Sequence, residues 1–161
     1  MTAAVRPPRP SRDDWFADMA TLVSYRSTCA RRAVGCVLVN ARGQVLSTGY
    51  NGVARGLPHC TEGHPCEGAG AASGTNLDAC EAIHAEQNAL LQCRDVEDIR
   101  WCYVTVSPCV TCVKLLLNTG CRTIIFRERY AHDEAARRIW EAADRAWEHR
   151  PMGAGKASTD P

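Results

Sequence analysis

The chain has 161 residues, a formal net charge of +1, 45% apolar residues and 23% charged ones. That length suits one domain with one core, no run of 18 apolar residues offers a membrane span, and the near-neutral charge lacks the clustered Lys and Arg that a polynucleotide calls for. Nucleic acid and membrane are therefore not expected partners, although the local clusters Arg26, Arg31, Arg32 and Arg127, Arg129 leave room for a small anion besides a plain solvated face.

Residues 1–10, rich in Pro and Arg, are expected to form a disordered arm. They carry no apolar centre of a secretory signal, so a reducing, cytoplasmic setting is expected, and the ten cysteines read as metal ligands or buried thiols, not disulfides. Ser11 with Asp14 resembles a capping box, and Trp15, Met19, Leu22 and Val23 recur at helical spacing up to about Arg26. Two apolar runs, 34–39 and 45–50, flank the turn residues Asn40 to Gly43 and predict a hairpin.

From 52 to 79 no period holds, and 68–74 is Gly-rich. A loop this long in a compact domain is functional or anchored. Cys60, His64, Cys66 and Cys80 lie in or beside it, and Cys29 follows the first helix; they read either as unconstrained thiols or as ligands of a structural zinc. A second helix is expected over 82–94, a strand over 101–106, and a third helix opened by Pro108 at its first position and ended by Gly120. A strand over 123–126 and a last helix, capped by Asp133 and carrying Ile139, Trp140, Ala143 and Trp147, complete the pattern. Cys36, Cys93, Cys102 and Cys121 fall in apolar runs and read as buried small hydrophobes. Residues 151–161 are expected to be a disordered tail, leaving one α/β domain over 11–150 with a single sheet covered by helices.

Two short motifs carry the chemistry. His84-Ala85-Glu86 opens the second helix, and Pro108-Cys109-Val110-Thr111-Cys112 opens the third. His84, Cys109 and Cys112 give three ligands, which leaves one position open as in a catalytic zinc site, whereas a structural zinc takes four. Cys109 and Cys112 are one helical turn apart at a helix N-terminus, where the dipole favours thiolates. Glu86, two residues from His84, reaches the open position without being a ligand, where it can take a proton from a metal-activated water and pass it on. The competing reading is a structural site with Glu86 or another cysteine as fourth ligand.

The H-x-E and P-C-x-x-C pair resembles the signature of the zinc cytidine deaminase superfamily. With Arg26-Ser27-Thr28-Cys29, Val34-Gly35, Gly49-Tyr50-Asn51-Gly52 and Tyr103-Val104-Thr105, the chain from about Trp15 to Tyr130 resembles the deoxycytidylate (dCMP) deaminases of bacteria and phages. The resemblance implies a three-layer α/β/α fold with a single mixed sheet and zinc-dependent hydrolysis of dCMP to dUMP, in the cytoplasm, or in a host's cytoplasm for a phage-encoded chain. It implies that Asn51 hydrogen-bonds the sugar or base, that the Ser107 carbonyl and Ala85 amide contact the base, and that Val34 lines the pocket. Arg26 is the candidate for the substrate phosphate. The resemblance also implies dCTP and dTTP as effectors, with Mg2+ accompanying the regulatory dNTP, assembly into homo-hexamers, and a second zinc for which Cys29 and Cys60 rank above Cys66 and Cys80. Two departures stand out: the 60–80 loop differs from the common pattern, and no apolar run after Trp147 supplies the superfamily's fifth strand. Alternatives to dCMP are dCTP or 5-substituted dCMP and, in another class, a non-catalytic zinc-stabilised nucleotide-binding module.

Overall fold

The structure, a computed structural model, describes residues 7–72 and 74–153. Helix α1 (Arg12–Ser24) starts as the sequence requires: Ser11 accepts the Asp14 N–H at 3.1 Å and donates its hydroxyl to the Asp14 carboxylate at 2.6 Å. The hairpin follows as β1 (Gly35–Asn40) and β2 (Val45–Tyr50), and a short strand β3 (Gly52–Val53) pairs with β4 (Ala82–Ile83). Then come α2 (Ala85–Gln92), β5 (Ile99–Val106), α3 (Val110–Leu117), β6 (Thr123–Glu128), α4 (Glu134–Glu141) and β7 (Ala146–His149).

The main sheet runs β2-β1-β5-β6-β7. β1 is antiparallel to both neighbours, while β5, β6 and β7 are parallel, so the sheet is mixed. Alternate strand residues face opposite sides. Val37, Val39, Tyr103 and Ile125 pack under α1 with Phe16, Ala17 and Ala20. Cys36, Leu38, Cys102, Val104, Ile124 and Phe126 meet Ala89 of α2, Val113 and Leu116 of α3 and Trp140 of α4 on the other side. Every residue of β1 is buried, as a strand covered on both faces must be. This is the three-layer α/β/α arrangement, and Cys36, Cys102 and Cys121 are buried in its core as expected.

Several boundaries differ from the sequence reading. The fifth strand, expected to be missing, is present as β7, parallel to β6. Trp147, read as the last turn of a helix, packs on Phe126 with ring centroids 5.3 Å apart. A four-residue edge strand with one covered face shows no apolar run, and the i, i+4 spacing of Ala143 and Trp147 imitated a helix. The chain leaves α4 through Asp144, whose φ of 59° reverses its course. Ala82 and Ile83 are recruited by β3, so α2 starts only after His84. Pro108 precedes the N-cap residue Cys109 rather than opening α3. Gly120 lies beyond the C-cap Asn118 and permits a close approach to the Glu97 backbone instead. The expected tail is docked at its start, since Arg127 donates to the Pro151 carbonyl at 3.3 Å; of the expected disordered ends, residues 1–6 and 154–161 lie outside the described residues.

Candidate active site

Two helix N-termini meet at one end of the sheet. β4 delivers His84 to the N-cap of α2, and the C-terminal end of β5 runs through Ser107 and Pro108 to Cys109, the N-cap of α3. α2 is held on β2 by side chains: Ser47 donates to the Ala89 carbonyl at 2.8 Å, Asn88 to the Tyr50 carbonyl at 2.8 Å and Gln92 to the Thr48 carbonyl at 3.0 Å. The His84 N–H donates to the Gln87 side chain at 2.8 Å, half of a capping box that fixes the first turn.

The Cys109 and Cys112 sulfurs each lie 3.4 Å from Nδ1 of His84. Zinc–sulfur and zinc–nitrogen bonds of ordinary length at a tetrahedral angle place S and N about 3.5 Å apart, so the three side chains fit that ion as they stand. Among the described residues, they form the one set of three or more such ligand atoms all within 4.8 Å of one another. A hydrogen bond from Cys112, and a further one from His84, hold the Cys109 thiol down to about 4, while the same partnership and burial push Cys112 up. The Cys109 thiolate in turn raises His84. Glu86 is only 4% exposed. Burial raises its carboxyl above the usual range, against the pull of its own backbone N–H and of His84.

The cavity beside the three ligands is walled by Glu86, Ala85, Val34, Asn51 and Ser107, all expected at the site. Asn51 is heavily engaged: its Oδ1 accepts the Ser27 hydroxyl at 2.7 Å and the Val34 N–H at 2.8 Å, and its Nδ2 donates to the Arg32 carbonyl at 2.7 Å. One amide N–H is left for a ligand. Arg26 is exposed at the end of α1 and does not line the cavity, because the chain turns inward only after Ser27; Arg31 and Arg32 do line it. Tyr130, which no periodicity singled out, also lines the cavity. It is brought there because β6 runs alongside β5 and the Ser107 N–H donates to the Glu128 carbonyl at 2.8 Å.

The four other cysteine candidates do not converge as one ligand set. Cys60 and Cys66 are buried neighbours that shift each other's thiol, Cys60 upward and Cys66 downward. Cys29 and Cys80 line the cavity, and His64 is exposed. The Gly-rich loop is anchored by Arg31, which donates to the Ala72 and Thr75 carbonyls at 2.6 and 3.0 Å, and by the Gly68 N–H on the Ala79 carbonyl at 2.9 Å.

His84, Cys109 and Cys112, with the buried Glu86 carboxylate beside them, form a zinc-type ligand set at the end of the sheet of an α/β/α sandwich. Comparison narrows the class: residues 10–128 match the cytidine and deoxycytidylate deaminase zinc-binding region, and the chain belongs to that family. It is 38% identical over 125 residues to a deoxycytidylate deaminase of Mycobacterium phage D29, covering 73% of this chain and 95% of that one. To a deoxycytidylate deaminase of Schizosaccharomyces pombe it is 39% identical over 139 residues, covering 84% of this chain and 42% of that one. The chain thus spans under half the length of its yeast relatives. The crystal structure of dCMP deaminase from the cyanophage S-TIM5 in complex with dCMP and dUMP matches with a TM-score of 0.67 and 25% identity, over 85% of this chain and 95% of that one.

Proposed function

We propose that the protein hydrolyses dCMP to dUMP and ammonia, using a zinc held by His84, Cys109 and Cys112. The observation that carries this reading is the buried Glu86 carboxylate on the wall of the cavity that His84 and Cys109 also line. The relationship to the phage D29 enzyme, over nearly its whole length, and the fold shared with the dCMP- and dUMP-bound cyanophage enzyme support the choice of substrate.

When bound, the zinc supplies a Lewis acid that brings the pKa of water near neutrality. The chain's own residues do the rest. Glu86 takes a proton from the attacking water and delivers it to the ring nitrogen beside C4. It takes the second and delivers it to the amine, which leaves as ammonia. A raised carboxyl suits this shuttle, because a pKa closer to the working pH lets one group both accept and donate. The Ser107 carbonyl and the Ala85 N–H hold the base, Val34 packs on it, and the free N–H of Asn51 reaches the sugar. Arg31 and Arg32 supply positive charge at the cavity where the phosphate would lie, a role the sequence had placed at Arg26.

The single domain over 11–150, a cytoplasmic location, homo-hexameric assembly, and regulation by dCTP and dTTP with Mg2+ on the triphosphate belong to the same proposal; they rest on the family resemblance and on the Gly49 to Gly52 segment between β2 and β3, whose Asn51 lines the cavity. A second, structural zinc on Cys29, Cys60, Cys66 and Cys80 belongs to the same proposal: Cys60 feels Cys66 and Cys29, and Cys80 feels Cys29 and Cys66, so the four thiols are neighbours that the ion would have to draw together from the positions described above. Elemental analysis finding two zincs per chain supports it, and finding one removes it. The activity itself is tested by ammonia release from dCMP, 5-methyl-dCMP, dCTP and cytidine, with and without dCTP and dTTP. Turnover of dCMP ahead of the others is expected. Preference for dCTP or a 5-substituted dCMP moves the substrate, and nucleotide binding without any turnover leaves a non-catalytic module.

A further inference from the structure

Asp133 stands where an N-cap carboxylate belongs, directly before α4, yet its side chain makes no capping bond. An aspartate there ordinarily accepts an N–H from the first helical turn. Here Oδ2 instead accepts the Ser107 hydroxyl at 2.8 Å, from 26 residues away, in a contact with Asp133 2% exposed. Arg129 bonds the other carboxylate oxygen at 3.0 Å and balances its charge. The Ser107 hydroxyl also accepts the Tyr130 N–H at 2.7 Å, which commits its proton to Asp133.

Ser107 is therefore held at two points, its hydroxyl by Asp133 and its N–H by Glu128. Ser107 lines the cavity two residues before Cys109, and among the described residues no hydrogen bond reaches its carbonyl. A buried carbonyl without a partner calls for a donor, and the amine that leaves in the proposed reaction is such a donor. Forgoing a local cap for a remote hydroxyl makes sense if the position of Ser107 matters more than the end of α4. Carbonyl geometry at a reacting amine is worth more in rate than in binding, since misplacement by a fraction of an ångström spoils the transition state while substrate still enters.

We infer that Asp133 is a positioning residue for the deamination: through the Ser107 hydroxyl it orients the Ser107 carbonyl toward the departing amine and seats Tyr130 across the cavity. This rests on the reading of the protein as a cytosine-nucleotide deaminase.

The test compares zinc-loaded Ser107→Ala, Ser107→Thr, Asp133→Asn and Asp133→Ala proteins and the Ser107→Ala/Asp133→Ala double variant. Steady-state kinetics on dCMP, zinc content and thermal midpoints are measured for each. Expected is a kcat per bound zinc lowered about 10- to 100-fold in the two alanine variants, with KM moved less than about 3-fold. Ser107→Thr, which keeps the hydroxyl, should recover most of the rate, Asp133→Asn should lie between, and the double variant should be no slower than the slower single, because both remove one contact. The inference is overturned if kcat per zinc stays within about 2-fold of the parent, if the loss follows zinc content or folded fraction, or if the two alanine changes multiply. A parent enzyme idle on dCMP but active on another cytosine nucleotide counts against the substrate alone, and the variants are then compared on that nucleotide; idleness on all of them removes the inference along with the reading.

Discussion

Gly49 of β2 and Ala89 of α2 touch backbone to backbone: a Cβ at Gly49 would overlap the Ala89 N–H and the Ala85 carbonyl. The helix that carries His84 and Glu86 is thus seated on a strand that must present hydrogen at this point, and Ser47, two residues earlier on the same face, fastens it through the Ala89 carbonyl. Gly49→Ala should push α2 off the sheet. Because the obstacle is backbone and not a flexible side chain, the cost should be at least about 1–3 kcal/mol. Urea unfolding should show the lowered midpoint, and competition with a chelator should show weakened zinc retention, as His84 moves relative to Cys109. A variant with both unchanged would mean that the two backbones can part freely.

Glu86 is assigned to proton transfer and not to the metal. Glu86→Gln keeps the shape and removes the base, so turnover should drop by about 10²–10⁴-fold or more while one zinc per chain remains. Loss of the metal in step with activity would instead make Glu86 a ligand, as the structural-site reading of the sequence required.

The centre was legible in the sequence because metal ligation imposes residue types at fixed spacings: His84, Glu86, Cys109 and Cys112 could be paired before any fold was known. The hairpin and strands β5 and β6 were legible for a similar reason, since buried strands need apolar runs. What escaped was long-range. Nothing near Asp133 in the chain announces that its carboxylate abandons α4 for Ser107. Arg26, Arg31 and Arg32 look alike in sequence, and the turn after Ser27 alone decides that Arg31 and Arg32, not Arg26, line the cavity. β7 was hidden by its brevity and by Trp147, whose spacing suits a helix but whose ring covers Phe126 from an edge strand.

Acid should unfold the protein partly through α1. The Ser11 hydroxyl, then Arg150 and Arg127, hold the Asp14 carboxyl below its usual range, against the opposing effect of burial. A carboxylate whose folded pKa is depressed contributes stability that is present above its unfolded pKa of about 3.9 and is lost as pH falls through the folded value. The parent should therefore lose stability below about pH 5. Asp14→Asn should be less stable at pH 7 and lose less on acidification, so the two urea midpoints should approach each other toward pH 3. Parallel curves would show that Asp14 contributes nothing to the acid limb.

The junction between α3, α4 and β7 turns on Arg145. Its guanidinium donates to the Cys121, Leu117 and Leu116 carbonyls at 2.7, 2.9 and 3.2 Å, and it lies over the Trp140 ring at 5.1 Å. It thereby satisfies the Leu117 carbonyl that the C-terminus of α3 leaves open and the Cys121 carbonyl beyond it, and shares the Leu116 carbonyl with Thr119, which stands at the position where a glycine often ends a helix. Arg145→Ala should strand the Leu117 and Cys121 carbonyls and release β7 from the sheet edge, costing about 3 kcal/mol. Arg145→Lys should recover little, since a compact ammonium does not reproduce a planar fork that reaches three carbonyls at once. Cys109 and Cys112 lie at the opposite end of α3, so kcat of the folded fraction should stay near the parent's while the urea midpoint falls. A variant that keeps its stability, or loses rate with its stability intact, would show that this junction does not act as the fold's C-terminal lock.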